Sequence, residues 1–430
     1  MDNDAHIEFD SAHIEFDSTH IEFDNTHIEL HNDDSQNQKI EESESEFVEE
    51  VSVIRRLIHG WTYQTYPMGL GTGAVYVLLY NLSYKSQALM NLQIFLFLFN
   101  LAIFIFTSLI LALQACLYPS RAKSLLLNPA TTIFVPTLAL NSATLILGLV
   151  NYGVPAKVVS WEALEVLFYC YIFLAIVICI PLLVAWYNKP HDLKTFTPAW
   201  AFLLFPMMLV GVVASRIIST MPLDSPQAVS VLFLGYMFQG LGTCMTFFYI
   251  PIYLSRIMQT GFMEGHQANG AFVMVGPPGF TVKHFSRPAE PVANDLQEMM
   301  TEEVGMVFFG VGVLMGIFFL GLCLVLFLMA LIPYYSKIHK KLSEVLGLWA
   351  TTFPIVGMTT VLRLLGDIFQ SKALHFGQLL MTLFVCCAYV TALTCTILAL
   401  CKGEILFSSS EQVLRDSNRH RGCKCKQAPA

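Results

Sequence analysis

The run Trp349-Ala350-Thr351-Thr352-Phe353-Pro354-Ile355-Val356-Gly357 sets a proline inside a segment too apolar to be a surface helix. A proline in that position removes a helix hydrogen bond and bends the axis. The event recurs upstream at Pro67, Pro136, Pro206 and the Pro277-Pro278 pair, and successive sites are 69, 70, 71 and 77 residues apart. Local text recurs with them. Tyr66-Pro67-Met68 leads into Gly69, Gly71 and Gly73, Phe205-Pro206-Met207 into Gly211, and Phe353-Pro354-Ile355 into Gly357. Each interval holds two membrane-length helices, so five related helical hairpins are the simplest reading.

Composition agrees. Of 430 residues, 55% are hydrophobic and 13% charged, about half the charged fraction of a soluble protein. The expected class is an all-α integral membrane protein, and a soluble enzyme or a nucleic-acid-binding domain is excluded. The net charge of -8 says little about the main body, because acidic residues crowd into the first 50 positions. That region repeats His-Ile-Glu-Phe-Asp at His6 to Asp10, His13 to Asp17 and His20 to Asp24. Its apolar residues alternate among carboxylates and cannot bury enough surface to offset ordering entropy, so residues 1–56 read as a disordered acidic tail. The regularly spaced His would at most bind a metal weakly. Most of the 11 Cys fall in apolar runs and read as small buried hydrophobes, while Cys423 and Cys425 lie in a basic tail over 406–430. No metal cluster, nucleophile elbow or phosphate-cradling glycine loop with Lys is legible, so neither a catalytic residue nor a cofactor is expected.

Ten apolar segments are expected to span the bilayer as helices: 62–81, 89–116, 131–153, 162–186, 198–218, 227–255, 267–285, 304–333, 346–368 and 374–401. They make a transporter domain over 57–405. Lys and Arg are best accounted for with both termini in the cytoplasm, Arg55, Arg56, Arg121, Lys123, Lys337 and Lys341 included. The glycosylation sequon at Asn81 and Ser83 then faces outward, close to the membrane.

Odd and even segments differ. Odd ones carry hydroxyls and amides, including Thr72, Thr137, Asn141 and Thr352, whereas the second, Leu92 to Leu113, is almost entirely Leu, Ile, Phe and Ala. Polar groups and broken backbone are tolerated at membrane depth when they face protein or a water-filled cavity. Odd segments should therefore form an inner ring around a central pore and even segments an outer one. The competing reading is that Pro, Gly and Ser merely allow close helix packing. No Asp, Glu or Lys lies near mid-membrane on the inner segments, which argues against a cation pathway. Arg216 and Arg363 follow Pro206 and Pro354 by ten and nine residues, at similar depth about 14 Å from the bend. They are candidates to attract anions, with interfacial anchoring as the plainer alternative.

These residues resemble a family. Phe272-Val273-Met274-Val275-Gly276-Pro277-Pro278-Gly279-Phe280, the Trp349 to Gly357 run and Ser371-Lys372-Ala373 closely resemble fungal malic acid transport proteins. Met68, Gly69, Gly71, Thr72 and Gly73, and Phe205-Pro206 with Gly211, match the same pattern. The chain is identified on these motifs as a member of the tellurite-resistance/dicarboxylate transporter family, which also holds sulfite efflux pumps and plant slow anion channels.

The resemblance implies ten helices in five hairpins, an anion pore inside the odd helices and a homotrimer with one pore per subunit. It also implies a pore-occluding phenylalanine, which the Trp-x-x-x-Phe-Pro setting assigns to Phe353; an aromatic that merely fills the bend is the other reading. Leu348 stands where channel relatives tend to have a second Trp, and Pro278 and Phe280 depart from the sulfite branch. The expected function is a plasma-membrane transporter of C4-dicarboxylates such as malate, linked to protons, with hydroxyls supplying hydrogen bonds to the carboxylate. The alternatives are sulfite or small inorganic anion efflux and, from another class, a non-transporting membrane sensor.

Overall fold

The computed structural model describes residues 51–222, 225–285, 302–337 and 341–425. The His-Ile-Glu-Phe-Asp repeats, and their reading as a disordered tail, lie outside the described residues. Every regular element among the described residues is helical.

Helix α1 (Val53–Gly60) precedes a 3-10 turn (Tyr63–Thr65) that leads into α2 (Tyr66–Tyr80). Helix α3 (Gln87–Leu117) returns, followed by α4 (Pro119–Leu127) and the one-turn α5 (Pro129–Thr132). Helix α6 (Thr137–Gly148) ends in a π-turn (Leu149–Gly153), and α7 (Trp161–Tyr187) follows. Short 3-10 turns (Leu193–Thr195 and Pro198–Leu203) lead to α8 (Phe205–Ile218) and then α9 (Pro226–Thr260). A short α10 (His266–Gly270) and a 3-10 turn (Ala271–Val275) lead to α11 (Gly276–Phe285), with α12 (Glu302–Lys337) after it. A 3-10 segment (Leu342–Thr351) opens α13 (Ile355–Phe369), which is followed by α14 (Lys372–Cys401) and α15 (Ser410–Cys425).

The sequence dictates where these helices begin. Ser86, Ser160 and Ser371 each turn a hydroxyl onto the first-turn amide of α3, α7 and α14, as Ser at an N-cap should. Proline acts differently from the bend expected of it. Pro67 and Pro206 lie in the first turns of α2 and α8, Pro136 and Pro354 immediately precede α6 and α13, and Pro277 opens α11. Each odd segment is thus a turn-like or 3-10 stretch that a proline converts into an α-helix. The missing N–H costs nothing at a helix start. Pro181, Pro251 and Pro333, by contrast, sit inside α7, α9 and α12 without interrupting them.

Seven helical stretches among the described residues are long and apolar enough to cross a membrane. Breaking at proline leaves α2, α8 and α11 shorter than that length as single helices. Burial separates the two sets as expected: 78% and 72% of the hydrophobic windows at Pro129–Gly153 and Ser343–Phe369 are buried, against 22–33% in α3, α7, α9, α12 and α14. Phe95, Phe173, Phe248, Phe318 and Leu383 stand exposed on those five, a surface suited to acyl chains. Helix α2 packs on α6, α6 on α8, α8 on α11, α11 on α13, and α13 returns to α2. Each peripheral helix bridges two successive inner ones, with α14 closing between α13 and α2.

Glycine permits the closest of these contacts. A Cβ on Gly279 would lie 2.5 Å from the Met358 nitrogen, and one on Gly357 would lie 2.7 Å from the Gly279 carbonyl carbon. Backbone touches backbone between α11 and α13.

The two ends of the described chain meet at one face. The Gln114 amide donates to the carbonyls of Ile58, His59 and Trp61, at 2.8, 2.9 and 3.0 Å. His59 is 2% exposed, with Nδ1 2.8 Å from Ser408 Oγ and Nε2 2.9 Å from Asp416 Oδ2. Helix α15 packs on α1 and α4. Of the C-terminal region expected as a plain basic tail, residues 410–425 are a docked helix. The side chains of Cys423 and Cys425 lie outside the described residues.

Candidate functional site

The site is built from the broken starts of the inner segments. Gln64, Pro67 and Leu70 belong to the first, Ile133 and Phe134 to the third, Trp200 and Phe202 to the fifth, Gln267 and Val273 to the seventh, and Trp349, Phe353 and Pro354 to the ninth. All of them line a cavity of about 470 Å³. Because all five odd segments contribute wall, the cavity lies on the axis of the inner ring. Trp186 at the end of α7, with His191 and Thr195 in the connector after it, completes the lining.

Phe353 stands at its inner limit, 5% exposed and stacked on Phe280 with ring centroids 5.0 Å apart and planes at 26°. Its backbone is fixed four residues earlier. Trp349 is 1% exposed, and its indole N–H donates to Thr396 Oγ1 of α14 at 3.0 Å. Gly71 lets α2 approach this anchor, since a Cβ there would meet the Trp349 ring at 2.6 Å and Thr352 Oγ1 at 2.7 Å.

The threonines do not offer their protons. Thr72 Oγ1 donates to Met68 O at 2.8 Å, Thr352 Oγ1 to Trp349 O at 2.7 Å, and Thr137 Oγ1 to Phe134 O. A hydroxyl already donating to its own helix presents an oxygen lone pair, which repels an anion. Asn141 is fully buried between helices: its Oδ1 accepts from Thr144 at 3.1 Å, and its Nδ2 faces Gly69. The Asn100 amide donates to Thr144 Oγ1 and to the Tyr76 hydroxyl in the same network. For Thr137 and Asn141, then, the structure favours close packing over lining. The amides at the cavity wall are better placed. Gln267 Oε1 accepts from Arg256 Nη2 at 3.3 Å, which leaves its N–H pair for the cavity's contents.

Arg216 and Arg363 both lie near Lys85, away from the cavity-lining starts of the inner helices. Arg216 Nη2 donates to Asn81 Oδ1 at 2.9 Å, and its guanidinium lies 5.9 Å from the Tyr80 ring centroid. Lys85 Nζ sits 4.9 Å from the same ring and donates to Tyr80 O. Desolvation first, then the charge of Arg363, push the Lys85 ammonium below its ordinary pKa. Arg363 Nε lies 3.5 Å from Asp367 Oδ2, and His375 Nε2 lies 3.5 Å from Asp367 Oδ1. Three cations therefore crowd one rim against one carboxylate. Asn81 itself is 7% exposed, so the sequon is occupied by structure.

Sequence reasoning missed His191, Trp186, Trp200, Gln64 and Gln267. The stretch Asn188-Lys189-Pro190-His191-Asp192 reads as a polar connector, and only its fold onto the cavity marks it. Phe280 was legible as part of a motif, but its stacking on Phe353 was not.

An apolar-jacketed helical ring around an aromatic-floored cavity, with a cationic rim beyond it, is the architecture of a membrane protein for anions. The chain belongs to the voltage-dependent anion channel family (SLAC1), whose model matches residues 60–397. It is 22% identical over 368 residues to a malic acid transport protein of Schizosaccharomyces pombe, covering 84% of this chain and 83% of that one. It is 24% identical over 358 residues to sulfite efflux pumps SSU1 of Arthroderma benhamiae and Trichophyton rubrum, covering 80% of this chain and 91% of each. The family is one of anion transporters and channels, and the resemblance read from the proline motifs is borne out.

Proposed function

We propose that the chain is a plasma-membrane, proton-linked transporter of C4-dicarboxylate anions, malate above all. Ten helices in five hairpins cross the bilayer, both termini are cytoplasmic, and the inner odd helices line a pore with Phe353 as its gate. The observation that carries this reading is the cavity walled by all five odd segments and floored by Phe353. On this topology the cavity is the cytoplasmic vestibule, and Arg216, Arg363 and Lys85 ring the outer mouth. Positive potential at the mouth concentrates anions, and the vestibule amides replace part of the water that a carboxylate sheds. A weak, multi-site path suits release as well as entry. The peripheral helices face lipid or, in a homotrimer, neighbouring subunits.

Efflux of sulfite or another small inorganic anion is the second reading, favoured by the sulfite pumps among the relatives at 24% identity, against 22% for the malic acid transport protein. Purified protein in vesicles, with malate, sulfite and chloride compared under an imposed pH gradient, separates the two. Malate flux that rises with inward acidification supports the proposal. Sulfite or chloride flux without malate flux reverses the ranking.

A further inference from the structure

His191 is held in an uncommon way. Its ring stacks on Trp186 at 4.5 Å between centroids and 15° between planes, and meets Trp200 at 5.0 Å and 63°. Its Nε2 lies 2.9 Å from Trp186 O. A carbonyl only accepts, so Nε2 carries hydrogen whether the imidazole is neutral or charged. Nδ1 is the nitrogen left over, and it has no hydrogen-bond partner among the described residues. The same ring lines the five-walled cavity. Two indoles fix the plane and one carbonyl fixes the tautomer, so a single nitrogen edge is left for whatever enters.

We propose that His191 is the residue that selects carboxyl-bearing substrates in the vestibule, by sharing one proton between Nδ1 and a carboxylate oxygen. Charged, it donates N–H to a carboxylate; neutral, it accepts O–H from the carboxylic acid. The two states are related by one proton moving along one hydrogen bond, with the pair's total charge and composition unchanged. Chloride has no proton to offer and engages only the charged ring. A carboxylate therefore shares the proton with the ring, whereas a simple halide can only accept it from the charged ring. The charged side chains on the cavity-forming elements include Lys189, Asp192 and Lys194 on its own segment, Arg256 on α9, whose Nε donates to Lys194 O at 3.1 Å, and Glu344 on the 3-10 segment before α13.

The inference rests on the dicarboxylate reading, and the test keeps the two apart. Full-length protein is titrated from pH 5 to 8 while tryptophan fluorescence is followed, since a charged imidazole against Trp186 quenches it. The His191→Gln trace is subtracted; glutamine keeps a donor for Trp186 O but does not titrate. His191→Phe keeps the stack and is the second variant should the first fold poorly. Sodium malate is compared with sodium chloride at equal ionic strength. Malate is expected to raise the midpoint over that in chloride, because a carboxylate is the more basic acceptor and binds the protonated ring more tightly than a halide does. In vesicles, His191→Gln should raise half-saturating malate roughly 10- to 150-fold, the cost of one charged hydrogen bond, and flatten its pH profile. Identical midpoints in malate and chloride overturn the assignment, as does an equal loss for every anion. Should malate shift the midpoint without crossing the membrane, the transport reading fails while the His191 assignment stands. Malate transport with an unmoved midpoint does the opposite: the His191 assignment falls and the transport reading stands.

Discussion

In the proposed pore, Phe353→Ala removes the ring assigned as the gate. For an anion to pass, this ring must leave Phe280, and breaking such a stack costs about 0.5–1.5 kcal/mol. Turning roughly 60 Å² of apolar ring surface toward the solute adds about 1.5 kcal/mol. Together these give a barrier contribution of about 2–3 kcal/mol, or roughly 30- to 150-fold in rate. Malate efflux from vesicles, or anion current across a planar bilayer, should rise by that factor in Phe353→Ala and by less in Phe353→Leu. Phe280→Ala loses only the stack and should gain roughly two- to tenfold. Because the rings touch, the double variant should fall short of the product of the singles. The stability loss is expected near the lower end, about 3 kcal/mol, because the ring borders an existing cavity instead of leaving a sealed one. Flux equal to wild type in Phe353→Ala, with normal folded protein in the membrane, would refute the gate and leave the ring as filling.

Arg363→Ala should slow uptake more at low malate than at saturation, and raising ionic strength should erase the difference, because the lost term is long-range attraction; initial rates against salt concentration check it. Gly279→Ala drives a methyl into the α13 backbone, where neither helix can yield cheaply, so folded yield and melting temperature should drop by the equivalent of about 1–3 kcal/mol. His59→Ala leaves Ser408 and Asp416 without their buried partner at a cost of about 1–3 kcal/mol. Limited proteolysis should then cut between Cys401 and Ser410 earlier than in wild type, while malate flux checks that the bundle is intact.

Much of the fold was legible because hydropathy and proline speak about backbone. A run such as Leu92 to Leu113 has no stable place except against lipid, and a proline such as Pro354 removes a helix hydrogen bond wherever it sits past the first turn. Burial accordingly divides the segments as composition did. Proline's role was half legible: sequence shows that a hydrogen bond is lost, not that the helix begins anew after a 3-10 stretch. The site was less legible. Thr72 and Thr352 carry the hydroxyl that an anion path wants, yet rotamer and helix geometry turn that proton onto Met68 O and Trp349 O. Asn141 was read as lining, but its Oδ1 is taken up by Thr144 in a helix–helix network with Asn100, and its Nδ2 lies against Gly69. His191 was invisible because its significance lies in two tryptophans and one carbonyl that chain order does not announce.

The buried imidazole of His59 has a consequence for biogenesis. Its two partners lie 349 and 357 residues further along the chain, and the ring of inner helices likewise closes only when α13 reaches α2. A ribosome delivering this polypeptide exposes an unmatched imidazole almost from the outset and satisfies it only after the last hydrophobic span has been inserted. Any product cut short before Ser408 carries that bare group on its surface, a chemical mark by which incomplete copies differ from finished ones.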